Sequence, residues 1–172
     1  MHKQTAVVKA EPSTKENIKF ASIFVFLIIS ATLMGTLHSF NLVEWVRWFS
    51  GGLLIIFGGL KLLGIEVFIK VFPLYDLIAK RLPFYKYIYP LLQVLLGMFF
   101  ITGALGYLRD LIVVIIGLSG LIGMIKIVSK RGAIRLSYLG TLLRLRFSTV
   151  ILVENTLMVC LGVIMMLSEA LS

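Results

Sequence analysis

The sequence predicts an all-α integral membrane protein with five membrane-spanning helices, and two observations carry this prediction. Hydrophobic residues make up 59% of the 172 residues and charged residues only 15%, whereas soluble domains usually carry about 25% charged residues. Five long apolar runs are also separated by charged stretches, and about 20 apolar residues suffice to cross a bilayer. Helices fit such runs because a helix pairs its own backbone polar groups.

The N-terminal part divides into a tail and a first span. Residues 1–19 mix Lys, Glu, Ser, Thr and Pro without apolar periodicity, which predicts a mobile cytoplasmic tail. Residues 20–37 contain no charge and predict the first transmembrane helix. A signal peptide is the alternative, but no clear small-residue cleavage site follows the run, which favours a retained span.

Residues 44–168 predict a bundle of four further membrane helices. Arg109 and Asp110 form the whole predicted connection between two of them. So short a connection forces these two helices into an antiparallel hairpin. The four predicted spans are residues 45–63, 88–108, 111–128 and 149–167.

Small residues spaced four apart predict close contacts between these helices, because residues i and i+4 share a helical face. Such pairs are Ala31 with Gly35, Thr102 with Gly106, and Ser119 with Gly123. Glycine is also generally frequent in membrane helices, which is the simpler explanation for any single pair. The glycines predicted to serve helix packing are Gly35, Gly58, Gly59, Gly106 and Gly123.

The distribution of basic residues predicts the orientation in the membrane. Of the 17 Lys and Arg residues, only Arg47 and Arg109 fall on one side of the predicted spans, and the other fifteen fall on the opposite side. Basic residues in short loops are preferentially retained in the cytoplasm. The N-terminus is therefore predicted to be cytoplasmic and the C-terminus to lie outside.

Two long connections on the predicted cytoplasmic side mix apolar and basic residues. They comprise residues 65–87 and 130–148. This composition is suited to the bilayer interface, with the basic groups directed toward anionic lipid headgroups. Both connections are therefore predicted to be interfacial segments.

Polar residues inside the spans predict a shared site near the cytoplasmic interface, because an ionisable group at the bilayer centre costs about 2.5 to 3.5 kcal/mol on insertion scales. We predict that Glu154 pairs with either Lys61 or Lys126. The two lysines could instead extend their side chains to the headgroups, which is the simpler role. The complete candidate cluster is Glu154, Asn155, Lys61, Gln93 and Lys126.

Several functional classes lack sequence support. Cys160 is the single cysteine, so one copy can form neither an intramolecular disulfide nor a cysteine-built metal site. No phosphate-binding loop, catalytic triad or histidine cluster is present, and we predict no catalytic residues and no metal. The basic residues alternate with apolar runs rather than covering a polar surface, which argues against nucleic-acid binding.

Three segments together resemble the DoxX-like membrane family, specifically the branch named after the methylamine-utilisation protein MauE. The sequence GGLKLLG matches a glycine-rich helix that ends in a Gly-x-x-Lys-Leu-like signature, with Lys61 at the lysine. The sequence YPLLQVLLG resembles the start of the next helix, with Gln93 at a position that is often acidic. Near the C-terminus, Leu139, Gly140, Glu154 and Asn155 match a Cys-x-Cys-Leu-Gly segment followed by a Val-x-Leu-x-Glu-Asn helix.

The resemblance covers roughly residues 44–167 and implies a DoxX-like four-helix bundle, here preceded by one extra helix. It also implies the bacterial inner membrane and a role as a non-catalytic accessory or maturation subunit of a redox system, with a membrane or periplasmic redox protein as partner. The family's two cysteines fall on Leu136 and Tyr138, so its thiol chemistry is not implied for this chain.

Two other functions are left open by the sequence. The first is an oxidoreductase subunit that binds quinone or lipid between its helices, with Glu154, Asn155 and Gln93 as polar contacts. The second is a small transporter, although the sequence shows no inverted repeat. No cofactor is evident, and quinone or lipid is the class that the first alternative would require.

Overall fold

The computed structural model describes residues 14–37, 41–131 and 147–171, and all regular structure in these ranges is α-helical. Five helices are long and apolar enough to cross a membrane. The predicted all-α architecture with five spans is therefore confirmed. In chain order the helices are α1 (Thr14–Leu37), α2 (Leu42–Leu63), α3 (Ile65–Tyr75), α4 (Leu77–Arg81), α5 (Tyr85–Thr102), α6 (Gly106–Arg131) and α7 (Phe147–Leu171).

The long helices associate as two pairs with one peripheral helix. Helix α2 packs most extensively against α5, and α6 packs most extensively against α7. Contacts of α2 with α7 and of α5 with α6 join the two pairs. Among the described helices α1 contacts only α2, and most of its large apolar side chains are exposed. The bundle of four is thus preceded by a helix at its edge.

The contact between α2 and α5 is close because glycines lie on both sides of it. A methyl group on Gly51 would lie 2.9 Å from the carbonyl oxygen of Gly97, and one on Gly97 would lie 2.8 Å from that of Gly51. About two helical turns further along α2, a methyl group on Gly58 would lie 3.1 Å from the carbonyl oxygen of Pro90. Gly51 and Gly58 are seven residues apart and share one face of α2.

The other glycines predicted to serve packing have different surroundings. Gly35 is buried in α1, whereas a methyl group on Gly59 would meet no atom within 4 Å. The described residues therefore show no close helix contact at Gly59. Gly106 begins α6 with a positive φ of 40°, so it serves the turn before the helix.

The connection between α5 and α6 lies earlier than predicted. Gly103 ends α5 in the left-handed conformation with φ of 73° and donates its N–H to the carbonyl of Phe100 at 3.3 Å. Leu105 also has a positive φ, of 62°. The chain therefore reverses over residues 103–105, and Arg109 and Asp110 belong to the first turns of α6. The antiparallel hairpin is present, but these two charged residues do not form its loop.

Residues between α2 and α5 form two short helices that pack on the bundle. Helix α3 buries Phe68, Val71, Phe72 and Tyr75, and it contacts α5 and α6. Helix α4 contacts the same two helices. The apolar side chains of this segment therefore pack against other helices of the same chain. Its predicted position at a lipid interface stays a prediction.

The boundaries of two other predicted segments also change. Helix α1 begins at Thr14, so residues 14–19 are helical and the predicted tail of residues 1–19 is too long. Residues 1–13 lie outside the described residues. In the predicted interfacial segment 130–148, both ends belong to helices α6 and α7, and residues 132–146, including Leu136, Tyr138 and Gly140, lie outside the described residues.

We expect Gly123→Ala to lower the free energy of unfolding by about 1 to 3 kcal/mol, as overpacking does elsewhere. A methyl group at this position of α6 would overlap the backbone carbonyl oxygen of Tyr75 at the end of α3, and a backbone atom cannot rotate away. Unfolding in mixed micelles, followed by circular dichroism, measures the change. The matched control is Gly59→Ala, which should raise stability by about 0.5 to 1 kcal/mol because alanine favours helix. Equal effects of the two variants would contradict the close contact between α3 and α6.

Candidate functional site

Lys61, Gln93 and Glu154 form a buried hydrogen-bonded cluster among α2, α5 and α7. The ammonium group Nζ of Lys61 donates to Gln93 Oε1 at 2.7 Å and to Glu154 Oε1 in a short ion pair. The amide Nε2 of Gln93 also donates to Glu154 Oε1, at 2.7 Å. Each of the three helices therefore contributes one member, and each member contacts the other two. We call this the Lys61 cluster.

The surroundings of the Lys61 cluster exclude solvent. All three residues are at most 2% exposed. The Nζ atom lies 5.2 Å from the ring centre of Tyr89 and 6.0 Å from that of Phe57, distances at which an aromatic face attracts a cation. Opposite charges and two aromatic rings thus compensate the burial of the lysine.

Within the described residues, one hydrogen-bond acceptor of the Lys61 cluster is unused. The second carboxylate oxygen of Glu154, Oε2, is buried and has no hydrogen-bond partner among the described residues. A buried acceptor without a partner is costly in a protein interior. Oε2 could therefore accept a hydrogen bond from a donor supplied by a bound molecule.

The remaining two candidate residues do not join the Lys61 cluster. Asn155 is buried, and its Nδ2 donates to the carbonyl of Ile151 within α7 at 2.8 Å, while its side chain fits against Gly120 of α6. Its Oδ1 has no partner among the described residues. Lys126 is exposed on α6. Of the two partners predicted for Glu154, the structure therefore selects Lys61, because Lys126 points out of the bundle.

A second buried ionic group, which sequence analysis placed in a loop, lies at the other end of the bundle. The guanidinium of Arg109 contacts Asp110 Oδ1 at 2.8 Å and Glu169 Oε1 of α7 at 3.3 Å. It also donates to the carbonyls of Phe99 and Ala104 at 3.2 and 3.4 Å. Arg109 therefore ties the turn between α5 and α6 to the end of α7.

Asp76 and Ser119 form a third buried contact, which sequence analysis did not identify. Asp76 Oδ1 accepts the N–H of Ala79 at 2.8 Å and so caps α4. Its Oδ2 accepts the hydroxyl of Ser119 on α6 at 2.9 Å, and Ser119 Oγ accepts the N–H of Ile78 at 3.1 Å. These bonds attach α4 to α6. The available sequence signal was an aspartate directly before a short helical segment, a common N-cap pattern.

Burial raises the pKa of the Asp76 carboxyl above its ordinary value of 3.8, and the hydrogen bonds from Ala79 and Ser119 only partly oppose this effect. A folded-state pKa above the unfolded value favours folding of the protonated form. The stabilising contribution is therefore complete below the ordinary pKa and is lost as the pH rises through the raised folded pKa.

We expect Asp76→Asn to gain stability relative to the unmodified protein as the pH rises from 3 to 8, since asparagine cannot ionise and its side-chain oxygen can still cap α4. The measurement is the difference in the free energy of unfolding between the two proteins in the same detergent across that pH series. Titration of all other groups cancels in this difference. A difference that is constant with pH would contradict the raised pKa.

The chemistry available in the described residues is that of hydrogen bonding and ion pairing. No group of three or more His, Cys, Asp or Glu side chains there could hold a metal ion. Cys160 is exposed on α7. The three buried polar groups therefore offer hydrogen bonds and ion pairs.

Comparison of the chain with models of known protein families, with curated proteins and with solved structures found no match.

Proposed function

We propose that this chain is a non-catalytic accessory or maturation subunit of a redox system in the bacterial inner membrane, as its resemblance to the MauE branch of the DoxX-like family implies. Its partner would be a membrane or periplasmic redox protein. In this proposal the N-terminus is cytoplasmic and the C-terminus periplasmic, as the basic residues predict.

The observation that carries the proposal is the convergence of three separate motifs on one cluster. Lys61 comes from GGLKLLG, Gln93 from YPLLQVLLG and Glu154 from the Val-Glu-Asn segment. These residues are 32 and 61 positions apart in sequence, yet they contact one another. The convergence therefore supports treating the motifs as parts of one site.

The bonding within the Lys61 cluster favours a non-catalytic role. Lys61 and Gln93 direct their polar atoms at each other and at Glu154, and the three are closed off from solvent. Groups that bond one another in this way hold helices in register, which is the best-attested role of buried polar contacts. A bundle held in one register presents fixed surfaces to a partner.

Isolation of the tagged protein from its native membranes in a mild detergent, followed by mass spectrometry, tests the proposal. We expect a redox protein to co-purify in stoichiometric amount and to survive washing. Because the cluster fixes the helices, Lys61→Met should release this partner, whereas Lys126→Met, which removes an exposed lysine, should retain it. A chain that is isolated without any redox protein would contradict the accessory role.

A second candidate function is the binding of quinone or another lipid-soluble ligand, and the unpartnered Oε2 atom of Glu154 favours it. A hydroxyl of a reduced quinone could donate to this oxygen. Mass spectrometry of small molecules extracted from the same preparation tests this function. A quinone that is present in the unmodified protein and lost in Glu154→Ala would support it, and an extract without quinone would contradict it.

A further inference from the structure

A cavity of about 660 Å³ lies between α4 and α6, outside the Lys61 cluster. It lies beside the C-terminal part of α6 and just before the first residue of α5. Each of these two candidate membrane spans has one of its ends at this level. A bilayer would place phospholipid headgroups at this level. The residues that line the cavity are Leu77, Ile78, Lys80, Arg81, Leu82 and Lys126.

The lining combines basic residues with apolar ones, and the described residues that line it include no acidic side chain. Lys80, Arg81 and Lys126 are all exposed, and none of them forms an ion pair with a described residue. Asp76, whose carboxyl interacts electrostatically with Lys80, is fully buried and bonded to Ala79 and Ser119. Three cationic groups are therefore available to an anion.

The two walls of the cavity are held at a fixed separation. The bonds among Asp76, Ile78 and Ser119 attach the start of α4 to α6. Lys80 and Arg81 follow in the last turn of α4, and Lys126 lies two turns beyond Ser119 on α6. Basic residues from two different elements thus line one cavity whose walls are in place before any ligand arrives, which reduces the entropy lost on binding.

An exposed apolar row on α6 leads from Lys126 toward the middle of the span. Its members are spaced three or four residues apart and so share one helical face. They are Ile115, Leu118, Ile122 and Ile125, each at least 38% exposed. An acyl chain could lie along this row while its phosphate contacts the basic residues. A free phosphate ion would use only the basic end.

We propose that this cavity binds a phospholipid with a net negative headgroup, with its phosphate at Lys80, Arg81 and Lys126 and an acyl chain along the apolar row of α6. Attraction between a basic residue and an anionic lipid surface is worth about 1 kcal/mol, or roughly fivefold in affinity for each residue. The site is independent of the proposed redox role.

The experiment measures binding of phosphatidylglycerol to the full chain in detergent by native mass spectrometry. We expect Lys80→Ser together with Lys126→Ser to weaken binding about 30-fold. The matched control is Lys70→Ser with Lys86→Ser, which removes the same charge elsewhere and should change binding by less than roughly twofold. Circular dichroism of both double variants verifies that the helices are retained.

Two further arms distinguish the sources of the phosphate. Phosphatidylcholine, which has no net charge, should bind more weakly than phosphatidylglycerol, and glycerol 3-phosphate should not displace bound phosphatidylglycerol at equal concentration. If the two double variants lost the same amount of phosphatidylglycerol binding, the effect would come from overall surface charge, and the proposal would be overturned. Equal binding of the two lipids, or displacement by glycerol 3-phosphate, would overturn it as well.

Discussion

Replacing Lys61 with methionine is expected to lower the free energy of unfolding by about 3 to 5 kcal/mol, the usual effect of removing one partner from a buried ion pair. The substitution keeps the apolar stem but leaves the carboxylate of Glu154 at 1% exposure without its cation. Of the donors to Glu154 Oε1 among the described residues, Gln93 Nε2 would remain. Unfolding in mixed micelles, monitored by circular dichroism, measures the loss.

Two variants separate the effect of the buried charge from that of the side chain itself. Lys126→Met removes a lysine that is exposed on α6 and should change stability by less than about 0.5 kcal/mol. The double variant Lys61→Met with Glu154→Leu removes both charges, and most of the lost stability should return because no unpaired ion is left buried. A double variant as unstable as Lys61→Met alone would contradict this account.

The five spans could be predicted from the sequence because their signal is local. A run of apolar residues of the right length predicts a membrane helix whatever lies beside it. The cluster of Lys61, Gln93 and Glu154 could be predicted in part for a related reason, since costly polar groups inside spans must find one another. Which lysine pairs with Glu154 depends on how each helix is rotated, and the sequence left Lys61 and Lys126 equally eligible.

The features that the sequence did not reveal depend on contacts between distant elements. Arg109 and Asp110 interrupt an apolar run, and this pattern resembles a loop. In the structure the turn is made by Gly103 and its neighbours. The two charged residues lie in α6 instead, where Arg109 contacts α7. Asp76 lies in a segment that mixes apolar and charged residues. Its burial follows from the contact of α4 with Ser119, which no local pattern contains.

Replacing Arg109 with methionine is expected to destabilise the opposite end of the bundle by about 3 to 5 kcal/mol. Asp110, which is fully buried, would lose its cation. The carbonyls of Phe99 and Ala104 would lose the donors that hold the turn after α5, and the ring of Phe100 would lose a guanidinium 4.1 Å from its centre. Arg109→Lys should recover only part of the loss, because one ammonium cannot reproduce the geometry of a planar guanidinium.

Arg47→Met provides the matched control for Arg109. Arg47 pairs with Glu44 at 3.2 Å, but both side chains are more than a quarter exposed, and such pairs usually contribute less than about 1 kcal/mol. Added salt extends the comparison, because screening weakens exposed pairs and acts much less on buried ones. The loss caused by Arg109→Met should therefore persist in 1 M sodium chloride. If salt abolished that loss, Arg109 would be interacting through solvent, and the buried tie between the turn after α5 and the end of α7 would be refuted.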